Sequence, residues 1–468
     1  MKIRIFNHYV DAPIWLLAIV EGLILFGSVY LAVEIRFFTE SRAEVVALGP
    51  LFMRAIVLSL VMLAIMVALG MYNTDSKWGQ WSHISVYLAS YFIGFITLTV
   101  IFYVLPHLFL GRGILALSLF LGFLGTTSVR MLFFGLMDGE AKTRRVLVLG
   151  SGSRPAHIAT LVEGEGHNRF SLAGFVGDDH NLHDERIVAQ STLVLRDRPL
   201  LAIARQNDVN EIVVAIRQRR GSELNMPELL ECRLEGINVI DLPTFYERET
   251  GKVLLDSLNP SWVVFSEGFN RSTLTNTVKK AIDVTASLLL LIILSPVMLV
   301  TTLLIKLDSE GPVLYRQQRV GECGQTFDVL KFRSMTVDAE KSGNPQWAQK
   351  NDSRVTRVGN VIRKLRIDEL PQIFNVLKGD MSFVGPRPER PYFVNQLTQK
   401  IPFYAARHSV KPGITGWAQI RYPYGSSEED AKEKLQYDLY YAKNHSWFLD
   451  LIILFETVQV VLFGKGAR

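Results

Sequence analysis

Four apolar segments crowd the first 140 residues: Ala12–Val33, Leu51–Met71, Ile84–Leu105 and Ile114–Leu136. Each holds roughly 20 residues, and at ~1.5 Å per residue a helix of that length reaches ~30 Å, the thickness of a bilayer core. Few folds accept such a pattern, and a four-helix transmembrane bundle is the expected one. The whole chain agrees: 49% of its 468 residues are hydrophobic and its mean hydropathy is +0.21, too apolar for an ordinary soluble enzyme. No small-residue cleavage site follows the first segment, so it reads as a retained span and not as a signal peptide.

Charges flanking the spans set an expected orientation. Lys2 and Arg4 precede the first, Lys77 lies between the second and third, and Lys142, Arg144 and Arg145 follow the fourth. An even number of spans with basic residues at both ends places both ends in the cytoplasm. Arg130 lies inside the fourth segment, where a mid-bilayer arginine costs roughly 2.5–3.5 kcal/mol, so it belongs near the exit or packed inside the bundle. The net charge of +5 suits anionic headgroups and phosphorylated substrates, and nothing resembles a nucleic-acid-binding module. Cys232 and Cys323 are the only cysteines and lack metal-ligand spacing, which argues against a disulfide framework or a zinc site.

From Arg144 the texture changes. Strand-like runs at Val146–Gly150, Leu172–Val176, Glu211–Ile216 and Ile237–Leu242 alternate with helical patterns at Pro155–Glu163, Leu200–Gln206 and Glu223–Glu235. Such alternation predicts a parallel, Rossmann-like α/β module. Gly150 and Gly152 supply two glycines of a dinucleotide fingerprint, but its third position is Pro155, which denies the close helix–strand packing a small residue allows. A structural or regulatory module with no bound cofactor is the expectation. Three regions follow: a four-span domain over 1–140, the α/β module over 141–270, and a last region over 271–468.

That last region opens with a fifth apolar run, Ala281–Ile305, bracketed by Lys279, Lys280 and Lys306. By length it spans. However, a fifth span would put everything after it on the opposite side from the α/β module. Ser295-Pro296 also sits just past the middle, where proline removes a backbone hydrogen bond. A helix broken there, with arms of roughly 10–14 residues reaching ~15–21 Å each, predicts a re-entrant membrane helix. The closing apolar stretch Trp447–Phe463 carries Asp450, Glu456 and Gln459, which fits a helix at the interface or packed on its domain.

Three clusters in this region carry chemistry. Gly311–Gly321 leading to Phe327–Met335 reads as a hairpin that presents Lys331 and Arg333, with Phe332 and Met335 marking a partly buried strand end. Asp368-Glu369 follows Arg363 and Arg366 and precedes Pro371, so the simplest role for the acidic pair is to cap a helix ending at Gly379. The same position favours ionised carboxylates and attracts phosphate. In Gly385-Pro-Arg387-Pro-Glu389 two prolines brace an arginine able to grip a phosphate in bidentate fashion.

In this order, Ser295-Pro296, Lys331-Phe-Arg-Ser-Met335, Asp368-Glu-Leu-Pro-Gln372, Gly385-Pro-Arg-Pro388 and Lys411-Pro-Gly-Ile-Thr-Gly-Trp-Ala-Gln419 resemble the monotopic phosphoglycosyl transferases. These bacterial enzymes prime glycan assembly on polyprenyl phosphate. The resemblance covers Lys279–Phe463, and the four spans plus α/β module ahead of it look like the large subgroup that starts capsule and exopolysaccharide repeat units. It implies a UDP-sugar donor, an undecaprenyl phosphate acceptor, membrane lipids around a re-entrant helix, an α+β catalytic domain facing the cytoplasm at the bacterial inner membrane, and Mg²⁺. By similarity Asp368 is the nucleophile, with a covalent phosphosugar–aspartyl intermediate and UMP as leaving group. Glu369 is a metal-orienting or proton-handling partner, and Asp368 and Glu369 are the metal candidates. Lys331, Arg333, Arg363 and Arg387 are expected to neutralise phosphate charge. A homodimer is an expectation from the larger family members alone. The turn Gly321-Glu-Cys-Gly324 departs from the pattern at a position expected to tolerate variation.

Two other classes remain open at this point. A membrane-tethered nucleotide-sugar oxidoreductase or epimerase would act through the α/β module, against its defective glycine pattern. In a non-catalytic scaffold for glycan export, Asp368-Glu369 would be a cap and nothing more.

Overall fold

A computed structural model describes residues 2–38, 50–72, 80–137, 143–150, 154–163, 170–177, 193–195, 198–216, 225–258, 273–336, 354–423, 425 and 427–463. Gly152 and the Ser151–Ser153 turn, Lys77, Lys142 and the expected boundary near 270 lie outside them. The chain divides into two compact units, Met1–Ile3 with Tyr9–Thr250, and Arg4–His8 with Gly251–Arg468. The four spans and the α/β module thus share one unit, and Arg4–His8, which runs from the end of the short strand β1 (Lys2–Ile5) to the start of β2 (His8–Asp11), belongs with the other.

In the first unit, α1 (Ala12–Arg36), α2 (Leu51–Ala68), α3 (Gln80–Val104) and α4 (Arg112–Met137) form the expected four helices. Leu25, Val29, Leu58, Met62, Leu98 and Leu115 pack inward, while Leu23, Phe92, Val100 and Met131 remain exposed. Large apolar side chains turned outward along whole helices fit a lipid surround. Arg130 does pack inside the bundle. Its guanidinium meets Glu21 of α1 (Nη2–Oε2 2.9 Å, Nε–Oε1 2.5 Å), and the Tyr72 hydroxyl donates to the same carboxylate. Glu21 is the partner that reading the segments one at a time overlooked.

The α/β module contains β3 (Arg144–Leu149), α5 (Ala156–Glu163), β4 (Phe170–Gly177), β5 (Leu193–Leu195), α6 (Leu200–Gln206), β6 (Glu211–Val214), α7 (Met226–Leu234), β7 (Asn238–Asp241) and α8 (Leu242–Thr250). Its five strands are all parallel and ordered β5-β4-β3-β6-β7, the 3-2-1-4-5 order of a doubly wound sheet. Strand β5 had no counterpart among the expected runs. Gly150 adopts φ +125°, and the Pro155 ring lies 3.5 Å from where a Cβ at Gly150 would stand. The proline therefore occupies the close-packed corner where the fingerprint calls for glycine.

The second unit begins its described course, beyond Leu258, with α9 (Thr273–Asp308), a fifth helix long and apolar enough to cross a membrane. The helix continues through Ser295-Pro296, so the proline lies inside α9 and does not end it. Pro296 leaves the Ile292 carbonyl without its usual N–H partner, and the Ser295 hydroxyl donates to that carbonyl at 3.0 Å. Beyond α9 come the antiparallel hairpin β8 (Leu314–Val320) and β9 (Thr326–Phe332), then α10 (Arg357–Lys364), α11 (Gln372–Lys378), β10 (Ser382–Val384) and α12 (Pro391–Lys400). Strand β11 (Gly413–Thr415) pairs in parallel with β10, and α13 (Trp417–Arg421), α14 (Glu428–Asn444) and α15 (Trp447–Phe463) complete the unit. The core sits where Leu435, Leu439, Tyr440 and Tyr441 of α14 meet Leu449 and Ile453 of α15, Trp417 and Phe393. The polar residues of α15 point into the domain: Asp450 receives Lys279 at 2.5 Å and Tyr441 at 2.7 Å, and Glu456 receives Arg421 at 2.8 Å. That helix is packed on its domain, as its mixed composition predicts.

Candidate active site

Two local devices bring the hairpin and the acidic pair together. Asn375, buried on α11, accepts from Leu330 N at 2.9 Å and donates to Asp328 O at 2.7 Å, so one side chain clamps the edge of β9. Lys331 is consequently held against the turn that precedes α11. Just before that turn, Ile367–Glu369, Arg366 takes the left-handed conformation at φ +60°, and Glu369 N donates to Arg366 O and Leu370 N to Ile367 O, three residues back in each case. The expected cap geometry is therefore wrong in one respect. Helix α11 starts at Gln372 behind Pro371, and Asp368 belongs to a tighter lead-in turn where its carboxylate caps nothing. The C-terminal expectation holds: Gly379 ends α11 at φ +91°.

The two carboxylates face different surroundings. Glu369 Oε1 accepts from Lys331 Nζ at 2.8 Å and from Arg387 Nη2 at 3.0 Å, with Arg366 3.8 Å from Oε2. Burial would raise the Glu369 pKa, but Arg387 and Lys331 outweigh it and hold the carboxyl well below the usual carboxylate range. Asp368 makes no hydrogen bond or ion pair among the described residues. Burial, and then the negative charge of Glu369, push its pKa up, with Lys331, Arg363 and Arg366 opposing. The Lys331 ammonium is pushed down, by burial first, while Glu369 supports its charge. The outcome is one cation-locked carboxylate whose ionised form is favoured beside one whose oxygens are uncommitted.

Of the expected phosphate-binding residues, Lys331, Arg363 and Arg387 gather around this pair. Arg333 does not join them. Its guanidinium is buried and donates to Glu310 O (2.6 Å), Ser309 O (2.7 Å) and Ser309 Oγ (2.9 Å), closing the carbonyl end of α9. Arg333 N still bonds Val313 O, one step beyond the last pair of the hairpin, while its side chain goes to the end of α9. Arg366 takes a place in the cluster that sequence reading noted only in passing; its position two residues before Asp368 was the available signal. Ser295 and Pro296 lie in α9 and take no part in these hydrogen bonds.

The motifs Gly385-Pro-Arg-Pro and Lys411-Pro-Gly-Ile-Thr-Gly turn out to be partners. A Cβ at Gly385 would stand 2.2 Å from Lys411 O, one at Gly413 2.1 Å from Gly385 N, and one at Gly416 2.1 Å from Gly385 O. Three glycines let two backbones touch, and this contact supports the Arg387 loop.

Magnesium can be tested against these groups. No three His, Cys, Asp or Glu side chains among the described residues form a ready metal cage. Magnesium asks for less, usually one or two carboxylates with substrate phosphates and water completing the shell. The uncommitted Asp368 oxygens and Glu369 Oε2 fit that demand.

Residues 274–464 match the family model described as bacterial sugar transferase. A UDP-glucose:undecaprenyl-phosphate glucose-1-phosphate transferase from Caulobacter vibrioides is 43% identical over 191 residues, covering 40% of this chain and 71% of that protein. This chain belongs to the bacterial sugar transferase family, the polyprenyl-phosphate phosphoglycosyl transferases that its motifs resemble. Two further relatives extend the comparison. The UDP-N-acetylgalactosamine-undecaprenyl-phosphate N-acetylgalactosaminephosphotransferase of Aeromonas hydrophila is 47% identical over 240 residues, 51% of this chain and 56% of its own length. The undecaprenyl-phosphate glucose phosphotransferase of Komagataeibacter xylinus is 35% identical over 329 residues, 69% of this chain and 60% of its own. The chain thus spans less than two thirds of these last two relatives.

Proposed function

We propose that the protein transfers a sugar-1-phosphate from a UDP-sugar to undecaprenyl phosphate, as a first step of exopolysaccharide assembly. The observation that carries this reading is the division of labour at Asp368-Glu369: one carboxylate locked by Lys331 and Arg387, the other uncommitted among cations. An Asp368 oxygen attacks the phosphorus that bears the sugar, the bond to the bridging oxygen breaks, and UMP leaves with that oxygen. An oxygen of the lipid phosphate then attacks the same phosphorus, the bond to Asp368 breaks, and the carboxylate is regenerated. The acceptor is anionic at neutral pH, so neither step needs a strong base.

Neutralising two polyanions is the main demand on the site, which Lys331, Arg363 and Arg387 meet from the protein side. Asp368 and Glu369 would hold Mg²⁺, which when bound supplies further charge neutralisation to the phosphates. Glu369 keeps Lys331 and Arg387 at fixed places around the reacting phosphorus. The covalent intermediate lets one small site serve a soluble donor and a membrane acceptor in turn. Helix α9, re-entrant at Ser295-Pro296 in this reading, keeps that site at the cytoplasmic face of the inner membrane, within reach of the lipid phosphate.

The deciding experiment incubates purified protein with Mg²⁺, undecaprenyl phosphate and a panel of UDP-sugars while UMP release is followed. Turnover with at least one donor, abolished by omitting metal or by Asp368→Asn, is expected; silence with every donor overturns the reading. Donor label retained on the protein without acceptor, and absent in Asp368→Asn, is the expected mark of the covalent step.

A further inference from the structure

The loop that carries Arg387 is held from outside by a series of donors from different parts of the fold. Pro386 O accepts from Gly413 N at 3.0 Å, Arg387 O from Arg407 Nη2 at 3.0 Å, Pro388 O from Arg319 Nη1 at 3.0 Å, and Glu389 O from Val320 N at 2.9 Å. Peptide planarity gives the second of these a specific meaning. The Pro386 carbonyl lies in the plane before Arg387 and the Arg387 carbonyl in the plane after it. Gly413 therefore holds the peptide plane before Arg387, and Arg407 holds the plane after it, within the extended range that Pro388 allows.

Arg407 is itself over-determined. It lies in the turn Tyr404–Ser409, its side chain is 7% exposed, and it is held by Asp438 of α14 at 2.7 Å and by the Tyr404 hydroxyl at 2.7 Å. Asp438, 3% exposed, touches none of the groups around Asp368 through any hydrogen bond or ion pair among the described residues. A buried ion pair of this kind is weak grounds for stability, since apolar residues of similar volume often serve as well. Arg407 Nη2, however, donates to Asp438 and to one loop carbonyl at once while Nη1 donates to Tyr404, which an apolar residue cannot do.

We infer that Arg407, seated on Asp438, is a positioning residue that sets the backbone of Arg387 and thereby aims its guanidinium at the phosphate. The inference rests on the transferase reading above, in which Arg387 binds phosphate. Releasing the carbonyl at the root of a long side chain lets its peptide plane tilt within the range Pro388 allows and displaces the tip, and a misplacement of about 1 Å is able to cost about 100-fold in rate.

The test is a double-mutant cycle in the full-length protein, reading kcat/KM for the productive UDP-sugar together with the thermal midpoint. Arg407→Met is expected to lower kcat/KM by about 10- to 100-fold when Arg387 is present, and by less than about twofold in an Arg387→Ala background. Arg407→Lys keeps a cation against Asp438 but ends one bond shorter and cannot also reach the Arg387 carbonyl; it is expected to retain the wild-type thermal midpoint while losing about tenfold in kcat/KM. Equal losses with and without the Arg387 side chain, or a Lys variant within twofold of wild type, would overturn the inference. A wild-type protein that turns over no donor instead overturns the transferase reading, so the two failures are distinct.

Discussion

Glu369 and Lys331 meet at 2.8 Å across a sequence separation of 38 residues, and the same carboxylate oxygen also receives Arg387. Neither contact involves Asp368, the residue next in the chain. Two adjacent carboxylates are thereby given opposite tasks, one spent on holding cations and one kept available.

This asymmetry sets a pH profile. As pH falls through the raised Asp368 pKa, that carboxylate takes a proton and the nucleophile is lost, whereas Glu369 stays ionised because its pKa is lowered. As pH rises through the lowered Lys331 pKa, the ammonium is lost earlier than in an ordinary lysine. A bell-shaped dependence of kcat/KM on pH is expected. Lys331→Arg, which cannot deprotonate in this range, should remove the basic limb and leave the acid limb in place.

Glu369→Gln leaves Lys331 and Arg387 without their shared anion. A fully buried pair broken in this way costs about 3–5 kcal/mol, and because the Arg387 side chain is 34% exposed a loss nearer about 2 kcal/mol is expected. The lowered pKa of Glu369 means that its stabilisation is present above about pH 4.3 and is lost as pH falls toward the folded value. Thermal midpoints in detergent at pH 7 and pH 5 should therefore show the same gap between variant and wild type, and the gap should narrow only as pH falls below the ordinary carboxylate range.

Gly413→Ala forces a Cβ to within 2.1 Å of Gly385 N and 2.4 Å of Thr415 O, both backbone atoms that cannot yield. A loss of about 3 kcal/mol or more is expected, read as a collapsed thermal midpoint. Gly27→Ala is the matched control. That position lies in α1 with nothing within 4 Å of the added carbon, and alanine there should be neutral or slightly stabilising.

Glu21 and Arg130 couple α1 to α4 inside the bundle. Removing either charge alone, as Glu21→Met or Arg130→Met, strands the other in an apolar interior and should cost about 3 kcal/mol in detergent-solubilised protein. The double variant should recover most of that loss, so a double variant as unstable as the singles would refute the pairing as the source of the effect.

The one-dimensional pattern carried far in this protein wherever the physics is local. Span length, strand runs between helical runs, the glycine that ends α11 and the mixed character of α15 each depend on a few consecutive residues, and they were legible. Asp368 as a cap was a local reading that failed, because Pro371 and the left-handed Arg366 replace the ordinary first turn of α11 with a tighter one. Strand β5, only three residues long, carries too little pattern to be noticed, and its place is set by pairing with β4.

Chain order alone determined that apolar helices come first, that an α/β module follows, and that cations, a carboxylate pair and a proline-braced arginine share the last region. It identified those groups without saying which would touch. Tertiary structure decided that Lys331 and Arg387 converge on Glu369, that Arg333 is drawn off to the end of α9, and that Glu21 finds Arg130 across 109 residues. The physical reason is range: turn and helix preferences act over one or two turns of chain, whereas ion pairing selects partners by distance in space, which only the packed backbone sets.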